Sequence, residues 1–498
     1  MKKRNPYRRR TAPASSRKPS RKLVTRDVRL SVEALIAFQQ RLKDVFQRRE
    51  QRDWFLFYLC GQLSNLERKT IEPMVLGLHG PAPQVIRALQ YHIGQSGWES
   101  QALIARLQTL AAEWLGDPAS VLIVDGSGFP KQGQDSVGVA RQYCGHLGKV
   151  ANCQEGVFLI YASPQGYAFV DERLYLPQSW FQKESRQRWQ RCGIPDETIF
   201  RTEPQLALEM IQKIVGRDQL PFRWITADER FGQNPAFLQG ISALGKWYLV
   251  EVPADTRFWT RRPAIEPPGQ GMLGRPRLHT RVVKSAPAPR EIRELAAQLP
   301  ASAWKTYVIK EGSRGPLRAE FAFLRLVKVE EKLPGERVWV ILRRALSGPP
   351  VIKYYLSNAP QTCTPADFVW ASGLRWPIET ALEEGKGEVG MDHYETRTWL
   401  GWHHHLAQTF AAHLFLVYLR LQFKKKSGAH NRPGAAIGRT SYRRRLPTST
   451  GRPTQSSLSA KEKLCGLPFS PQTHSQRSAP PNLKTFVARS LVVMKVSL

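Results

Sequence analysis

Val121-Leu122-Ile123-Val124-Asp125 and Phe222-Arg223-Trp224-Ile225-Thr226-Ala227-Asp228 are two short β-prone runs, each ending on an aspartate and breaking into a polar, glycine-containing turn. A third stretch, Arg375-Trp376-Pro377-Ile378-Glu379, enters a helical pattern that sets Arg375, Glu379, Glu383 and Lys386 along one side. Acids at strand ends stand where sites in α/β sheets usually form. Three of them brought together would bind two divalent metal ions and act on a phosphodiester. Taken singly, Asp125 and Asp228 read as well as turn caps, a common use of aspartate after a strand.

Working outward, residues 120–252 alternate strands with helices. Val157 to Ala162 and Tyr167 to Leu176 form an antiparallel pair about the tight turn Ser163-Pro164-Gln165-Gly166. A helix follows, with Pro204 near its start and Leu206, Met210 and Ile214 at four-residue spacing. It leads into the second aspartate run, and then come a helix over 234–244 and a strand over 246–252. The fold class is therefore mixed α/β. Upstream, Ser31 to about Leu115 reads as helical, with Leu35, Phe38, Leu42 and Val45 on one stripe. Within it, residues 82–93, a Gly94-to-Gly97 turn and residues 99–114 fit either a DNA-binding helix-turn-helix or an ordinary helical hairpin. Between Asp228 and Glu379 the chain is too long for a simple connection, so an insertion is expected. Its first part, 253–302, is proline-rich, and strands are predicted at 305–309, 318–329, 337–343 and 351–356.

The charge balance points to nucleic acid. The 498 residues hold 74 Lys plus Arg against 41 Asp plus Glu, a formal +33, which exceeds what solubility requires. Much of the excess sits at the ends: residues 1–22 carry ten basic side chains and no acid, and residues 424–498 carry fifteen and one. Solvated tails would explain those runs equally well. The six cysteines include no C-x-x-C pair, so neither a disulfide framework nor a zinc ribbon is indicated; Cys144, His146 and Cys153 fit no common finger and read as structural. No apolar run approaches the length of a membrane span, and no apolar segment comes after the basic start, so a cytoplasmic protein is expected.

With these residues in hand, the chain resembles insertion-sequence transposases of the DDE superfamily over roughly residues 30–424. Arg375, Glu379 and Lys386 match the signature Y-x2-R-x3-E-x6-K, with Ser372 where the tyrosine would stand. Asp125 to Lys131, Gly138 to Tyr143 and Leu147 to Asn152 look like the sequence around the first catalytic acid of one subgroup. Asp392 to Glu395 and Trp402 to His405 look like the sequence beyond its glutamate. The resemblance implies an RNase H-like mixed sheet flanked by helices, with a helical N-terminal region and a β-rich insertion before the last acid. The layout expected is a disordered basic arm over 1–29, a helical DNA-binding region over 30–117, a catalytic core over 118–252 and 361–424, a mostly β insertion over 253–360, and a disordered basic tail over 425–498.

The resemblance also implies catalytic and metal-binding roles for Asp125, Asp228 and Glu379 and DNA contacts for Arg375 and Lys386. Two Mg2+ ions are expected, with Mn2+ as a substitute, and the partners are double-stranded DNA and a second copy of the chain, close to the nucleoid and away from membranes. Glu383 and Glu384 compete for the third acid, but only Glu379 has both the arginine and the lysine interval. Asp135, Glu229 and Asp392 are expected to be accessory or surface acids. Consecutive His403, His404 and His405 point in different directions on a helix, so helix packing is expected rather than a shared ion. The tail from Lys424 lacks periodicity and is read as foreign sequence from a shifted frame, or as a solvated DNA-binding tail. Two alternatives remain open: an RNase H-fold nuclease or resolvase, and a domesticated, non-catalytic DNA-binding protein.

Overall fold

The structure is a computed structural model that describes residues 25–269, 278–312, 315–346 and 351–426. Of the basic arm expected over 1–29, residues 1–24 lie outside the described residues, as does the tail from residue 427 with its shifted-frame reading, whereas residues 25–29 and 425–426 are helical.

Five helices open the described chain: α1 (Thr25–Arg41), α2 (Arg49–Leu63), α3 (Ile71–Leu78), α4 (Pro83–Gly94) and α5 (Ser100–Leu115). The stripe read from sequence is buried at Leu35, Phe38 and Leu42. Trp98, in the turn between α4 and α5, is buried too, which an isolated surface turn would not require. The sheet begins with β1 (Val121–Pro130), β2 (Ala140–Cys144), β3 (Lys149–Ala162) and β4 (Tyr167–Tyr175). After α6 (Arg186–Cys192) and α7 (Glu203–Arg217) come β5 (Trp224–Ala227), α8 (Glu229–Gly232), α9 (Pro235–Ala243) and β6 (Trp247–Val252).

The long connection before Glu379 supplies β7 (Arg257–Trp259), β8 (Ile265–Glu266), β9 (Arg281–Val282), β10 (Arg290–Glu291) and α10 (Ile292–Ala297). Four longer strands come next: β11 (Lys305–Gly312), β12 (Gly315–Glu330), β13 (Leu333–Ala345) and β14 (Ile352–Ser357). They continue the central sheet. Strand β14 pairs with β6 through Tyr354↔Val252 and Leu356↔Val250, so the order runs β10-β7-β12-β13-β14-β6-β5-β1-β3-β2, with β11 on β12 and β4 on β3. Among the described residues only β1, β5 and β6 pair in parallel; the other pairs are antiparallel.

Three helices complete the described chain: α11 (Pro365–Gly373), α12 (Pro377–Gly387) and α13 (Trp399–Lys426). Helix α13 is buried over most of its circumference from Trp402 to Leu419, its polar residues His403, His404, His405, Gln408, Thr409 and His413 included. It lies between the N-terminal helices α2, α4 and α5 on one side and β4 on the other. Its three consecutive histidines tie these layers together. His403 Nδ1 meets Glu172 Oε1 at 2.8 Å, His404 contacts the carbonyls of Ile93 and Trp98 at 3.0 and 2.7 Å, and His405 Nδ1 meets the Tyr58 hydroxyl at 2.7 Å. The His404 ring stacks on Trp98 at 3.7 Å between centroids. The packing role expected of these histidines is the one they have. Among the described residues, no helix is long and apolar enough to cross a membrane.

Candidate active site

The parallel pairing of β1 with β5 aligns Val124 with Ala227, so the next residue on each strand is an aspartate, and Asp125 and Asp228 come out side by side. The two strands then diverge. Strand β5 stops, and Asp228 caps α8, its Oδ1 accepting from the backbone N–H of Arg230 at 3.0 Å and of Phe231 at 3.4 Å. Strand β1 does not stop at Asp125, as its sequence suggested, but runs on to Pro130 because β3 pairs with it all the way to Cys153. The glycines that read as a turn are needed inside the strand instead. A side chain at Gly126 would meet Glu155 Oε1 at 2.9 Å and Glu203 Oε2 at 3.3 Å, and one at Gly128 would meet Cys144 Sγ at 2.7 Å.

Asp125 Oδ1 accepts from the Gly126 N–H at 2.8 Å. Burial and, after it, the neighbouring Asp228 charge push its carboxyl up to about 7, against the opposite pull of Arg375 and Arg230. Beneath the strand lies a second acidic group that sequence reading missed. Glu155 on β3 and Glu203 at the start of α7 face Arg230, whose Nη1 bonds Glu203 Oε2 and lies 3.9 Å from Glu155 Oε1. Burial, with Glu203 next, pushes Glu155 up to about 8, and its Oε2 is buried without a hydrogen-bond partner. Arg230 could have been suspected from its place two residues after Asp228. Glu155 could not, because only the β1–β3 register brings it under Gly126 and Gly128.

The helix expected to carry the third acid starts at Pro377, so Arg375 sits in the turn before it rather than on it. Arg375 Nη1 bonds Glu251 Oε1 on β6, an oxygen also bonded by Lys353 at 3.1 Å. At the other end of α12, Lys386 Nζ donates to the Gly128 carbonyl of β1 at 3.1 Å and lies 5.0 Å from the Phe129 ring centroid. Glu379 is exposed on the first turn of α12 between these two tethers. Its rival Glu384 faces the other way. It is bonded by His413 at 3.2 Å and Arg420 at 3.0 Å, and although burial opposes them, these partners hold its carboxyl down at about 2. Glu383 is exposed. Among the described residues no three His, Cys, Asp or Glu side chains are gathered into one ion-sized cluster; the structure pairs Asp125 with Asp228 and leaves Glu379 apart from that pair. Ser372, where the signature has tyrosine, is buried and bonds the Val369 carbonyl at 2.8 Å.

Neighbouring aspartates on adjacent parallel strands of a mixed sheet are where this chain matches a known family, described as DDE superfamily endonuclease, over residues 41–316. The chain belongs to that family. The matched span holds both aspartates of this DDE endonuclease and ends before α12. The large mixed sheet flanked by helices is that of an RNase H-like fold. The endonuclease is also 24% identical over 354 residues to a probable transposase for insertion sequence element IS701 from Microchaete diplosiphon, across 70% of this chain and 78% of that protein.

Proposed function

We propose that this endonuclease is a DNA transposase that cuts the ends of an insertion sequence and joins the resulting 3′-hydroxyls to target DNA. The observation that carries the reading is the side-by-side placement of Asp125 and Asp228 by the parallel pairing of their strands. The similarity to the IS701 protein and the basic surplus support a double-stranded DNA substrate.

The donor set fits a hard divalent cation. Two carboxylates sit together, and the ordinary pull on one of them, Asp125, is toward protonation. Asp125 and Asp228 would hold Mg2+, or Mn2+ in its place, with Glu379 completing the second of two ion sites. Bound there, the metal pair would supply stabilisation of the attacking and leaving oxygens in an in-line displacement.

The remaining work falls to the chain. In the first step a water oxygen bonds to phosphorus, the P–O3′ bond breaks, and the departing oxygen takes up a proton to leave a 3′-hydroxyl. In the second, that hydroxyl bonds to a target phosphorus and the target's own P–O3′ bond breaks, so no high-energy cofactor is needed. Arg375 and Lys386 flank Glu379 with positive charge and would hold phosphates, each exchanging its present partner, Glu251 or the Gly128 carbonyl, for an anionic oxygen. The regions proposed for these roles are the helical 30–117 segment for end binding, 118–252 with 361–424 for catalysis and 253–360 as the inserted part. Pairing two ends calls for two copies of the chain.

The test is to incubate the full chain with Mg2+ and duplexes carrying the flanking ends of its own gene, and to map cuts and joints. Strand-transfer products are expected. Cleavage without joining would favour the nuclease or resolvase reading, and binding without metal-dependent cleavage the non-catalytic one. Glu379→Gln is expected to abolish cleavage and leave end binding within about twofold, since it removes a metal ligand but few phosphate contacts. Retained cleavage would remove Glu379 from the reading.

A further inference from the structure

Strand β2 and the start of β3 form a hairpin that exposes apolar side chains for which the fold offers no partner. Tyr143 and Val150 are directly opposed across its strands and are 56% and 53% exposed; Leu147, in the connecting turn, is 41% exposed. Arg141 and Lys149 are exposed beside them. The base of the hairpin, by contrast, is fixed. Cys144 and Cys153 are buried, Gln142 Nε2 donates to the Cys153 carbonyl at 3.0 Å, and Asn152 Nδ2 donates to the carbonyls of Lys131 and Gly133 at 2.8 and 2.9 Å. Gly148, at φ +64°, closes the turn, its N–H donating to the Cys144 carbonyl at 2.9 Å. A stiff base thus presents an apolar tip framed by two cations.

We propose that this hairpin is a DNA-groove wedge, its Tyr143, Leu147 and Val150 pressed against bases or sugars and its Arg141 and Lys149 against the flanking phosphates. The inference rests on the DNA substrate proposed above. Charge selects the occupant: from Ser136 through Gln154 the chain contains no acid, so the whole element is matched to a polyanion. A second copy of the hairpin fits poorly, because a two-fold contact would set Arg141 and Lys149 against their own counterparts. Position agrees. The hairpin is hydrogen-bonded in register to β3, and β3 to β1, with Ala140 and Pro130 both opposite Cys153. Pro130 lies five residues beyond Asp125 on the same strand. At about 3.3 Å per residue, the hairpin base is about 17 Å from the acid. The tip lies further along the same strands: from Phe158, opposite Asp125, to Val150, opposite Tyr143, is eight residues of β3, about 26 Å or about eight base-pair rises, so a duplex whose scissile phosphate lay at Asp125 would reach the tip within one turn. Apolar side chains flanked by basic ones are what protein wedges insert into a minor groove.

The experiment uses the full chain and a fluorescent duplex carrying the gene's flanking end, with equilibrium binding, Mg2+-dependent cleavage and photocross-linking as readouts. All the substituted side chains are exposed, so folding is preserved, and thermal melting checks it. Tyr143→Ser with Leu147→Ser is expected to weaken end binding about tenfold or more while leaving its salt dependence unchanged. Arg141→Ala with Lys149→Ala is expected to lower the slope of log affinity against log salt by about two. A photocross-linker at position 147 is expected to join DNA about eight or nine base pairs from the cut. Binding unaffected by both variants, or a cross-link between two protein chains in place of DNA, would overturn the proposal. The two readings separate cleanly: variants that bind and join ends like the unaltered chain sink the wedge alone. Hairpin-dependent binding with no joining sinks the transposase reading and leaves the wedge standing.

Discussion

Asp125→Asn should make the metal-free protein more stable at neutral pH. The Asp125 carboxyl is pushed up to about 7 by burial and by Asp228, whereas in the unfolded chain it titrates near 3.8. Below about pH 4 the group is protonated in both states and adds no pH-dependent difference. Between about 4 and 7 the unfolded chain releases this proton while the folded protein retains it, so stability falls with rising pH, and above 7 the loss is complete. The gap between the two values corresponds to about 4 kcal/mol at ~1.36 kcal/mol per pH unit. Asp125 is partly open to solvent, which brings the expected figure to about 2 kcal/mol. Asparagine keeps the shape and the acceptor for the Gly126 N–H and removes the charge. For a folded region of roughly 400 residues, with an unfolding entropy of about 0.8 kcal/mol/K, the substitution should raise Tm by about 2–3 °C at pH 8 in EDTA. At pH 4 the two proteins should melt together. Added Mg2+ should raise the Tm of the unaltered chain and have much less effect on the variant. No gain at pH 8, or an equal gain at pH 4 and pH 8, would refute the claim that two crowded carboxylates define this site.

Other consequences are as accessible. Gly126→Ala places a methyl 2.9 Å from Glu155 Oε1 and should cost about 1–3 kcal/mol in urea denaturation, with cleavage down at least tenfold as Asp125 shifts. Trp98→Ala empties the stack on His404 and should cost about 3–5 kcal/mol, loosening the N-terminal helices from α13 in hydrogen exchange. Burial holds His92, His404 and His405 below their ordinary range, at about 3, 4 and 3, so they stay neutral when folded. Stability should therefore decline as pH falls below about 6.5, where the unfolded chain takes up protons that the folded protein refuses; melting curves at pH 7 and 5 check this, and equal Tm values would contradict it. Glu251→Gln frees Arg375 from its ion pair and should lower cleavage about as much as Arg375→Gln does, the double variant being no worse than either; additive losses would separate the two residues.

The parts of the fold legible in the sequence were those set by local pattern. The apolar runs ending at Asp125 and Asp228, the four-residue spacing of Leu206, Met210 and Ile214, and the strands of the insertion are periodic signals that survive without tertiary context, and they stand in the fold. The end of β1 was misjudged because glycine in a strand and glycine in a turn look alike in one dimension; the bulk of Glu155, Glu203 and Cys144 against Gly126 and Gly128 separates them. Strand β2 was missed for a related reason. Five residues with alternating exposure, Ala140 to Cys144, carry too little apolar content to stand out until β3 supplies their partners. The continuity of the insertion with the central sheet depends on β14 meeting β6 across about a hundred residues of sequence, which no local reading can register. The acids that face the arginines of the site were equally hidden, since Glu155 and Glu203, near Arg230, and Glu251, on Arg375, come from three elements and share no spacing.

The basic residues on either side of Glu379 acquire a mechanical meaning from these same pairings. Arg375 is tied to Glu251 on β6, and Lys386 to the Gly128 carbonyl on β1. In the sheet, β5 lies between those two strands, and β5 is the strand that delivers Asp228. A segment anchored on β6 at one end and β1 at the other has to pass across β5, and the first turn of α12, with Glu379, lies within that segment. The eleven steps from Arg375 to Lys386 span about 16 Å if helical throughout, against about 10 Å for two strand-to-strand spacings, so the segment is long enough to arch over β5 rather than be drawn flat against it. An arginine four residues before the acid and a lysine seven after it are thus the intervals that let one short helix be pinned at both ends across the parallel strands. This favours Glu379 over Glu384, whose partners His413 and Arg420 turn it toward α13. It also gives Arg375 and Lys386 a structural part independent of DNA: they pin the turn that bears Glu379 across β5, and in the proposed reaction a phosphate that draws either one away from its present partner would release α12 at that end.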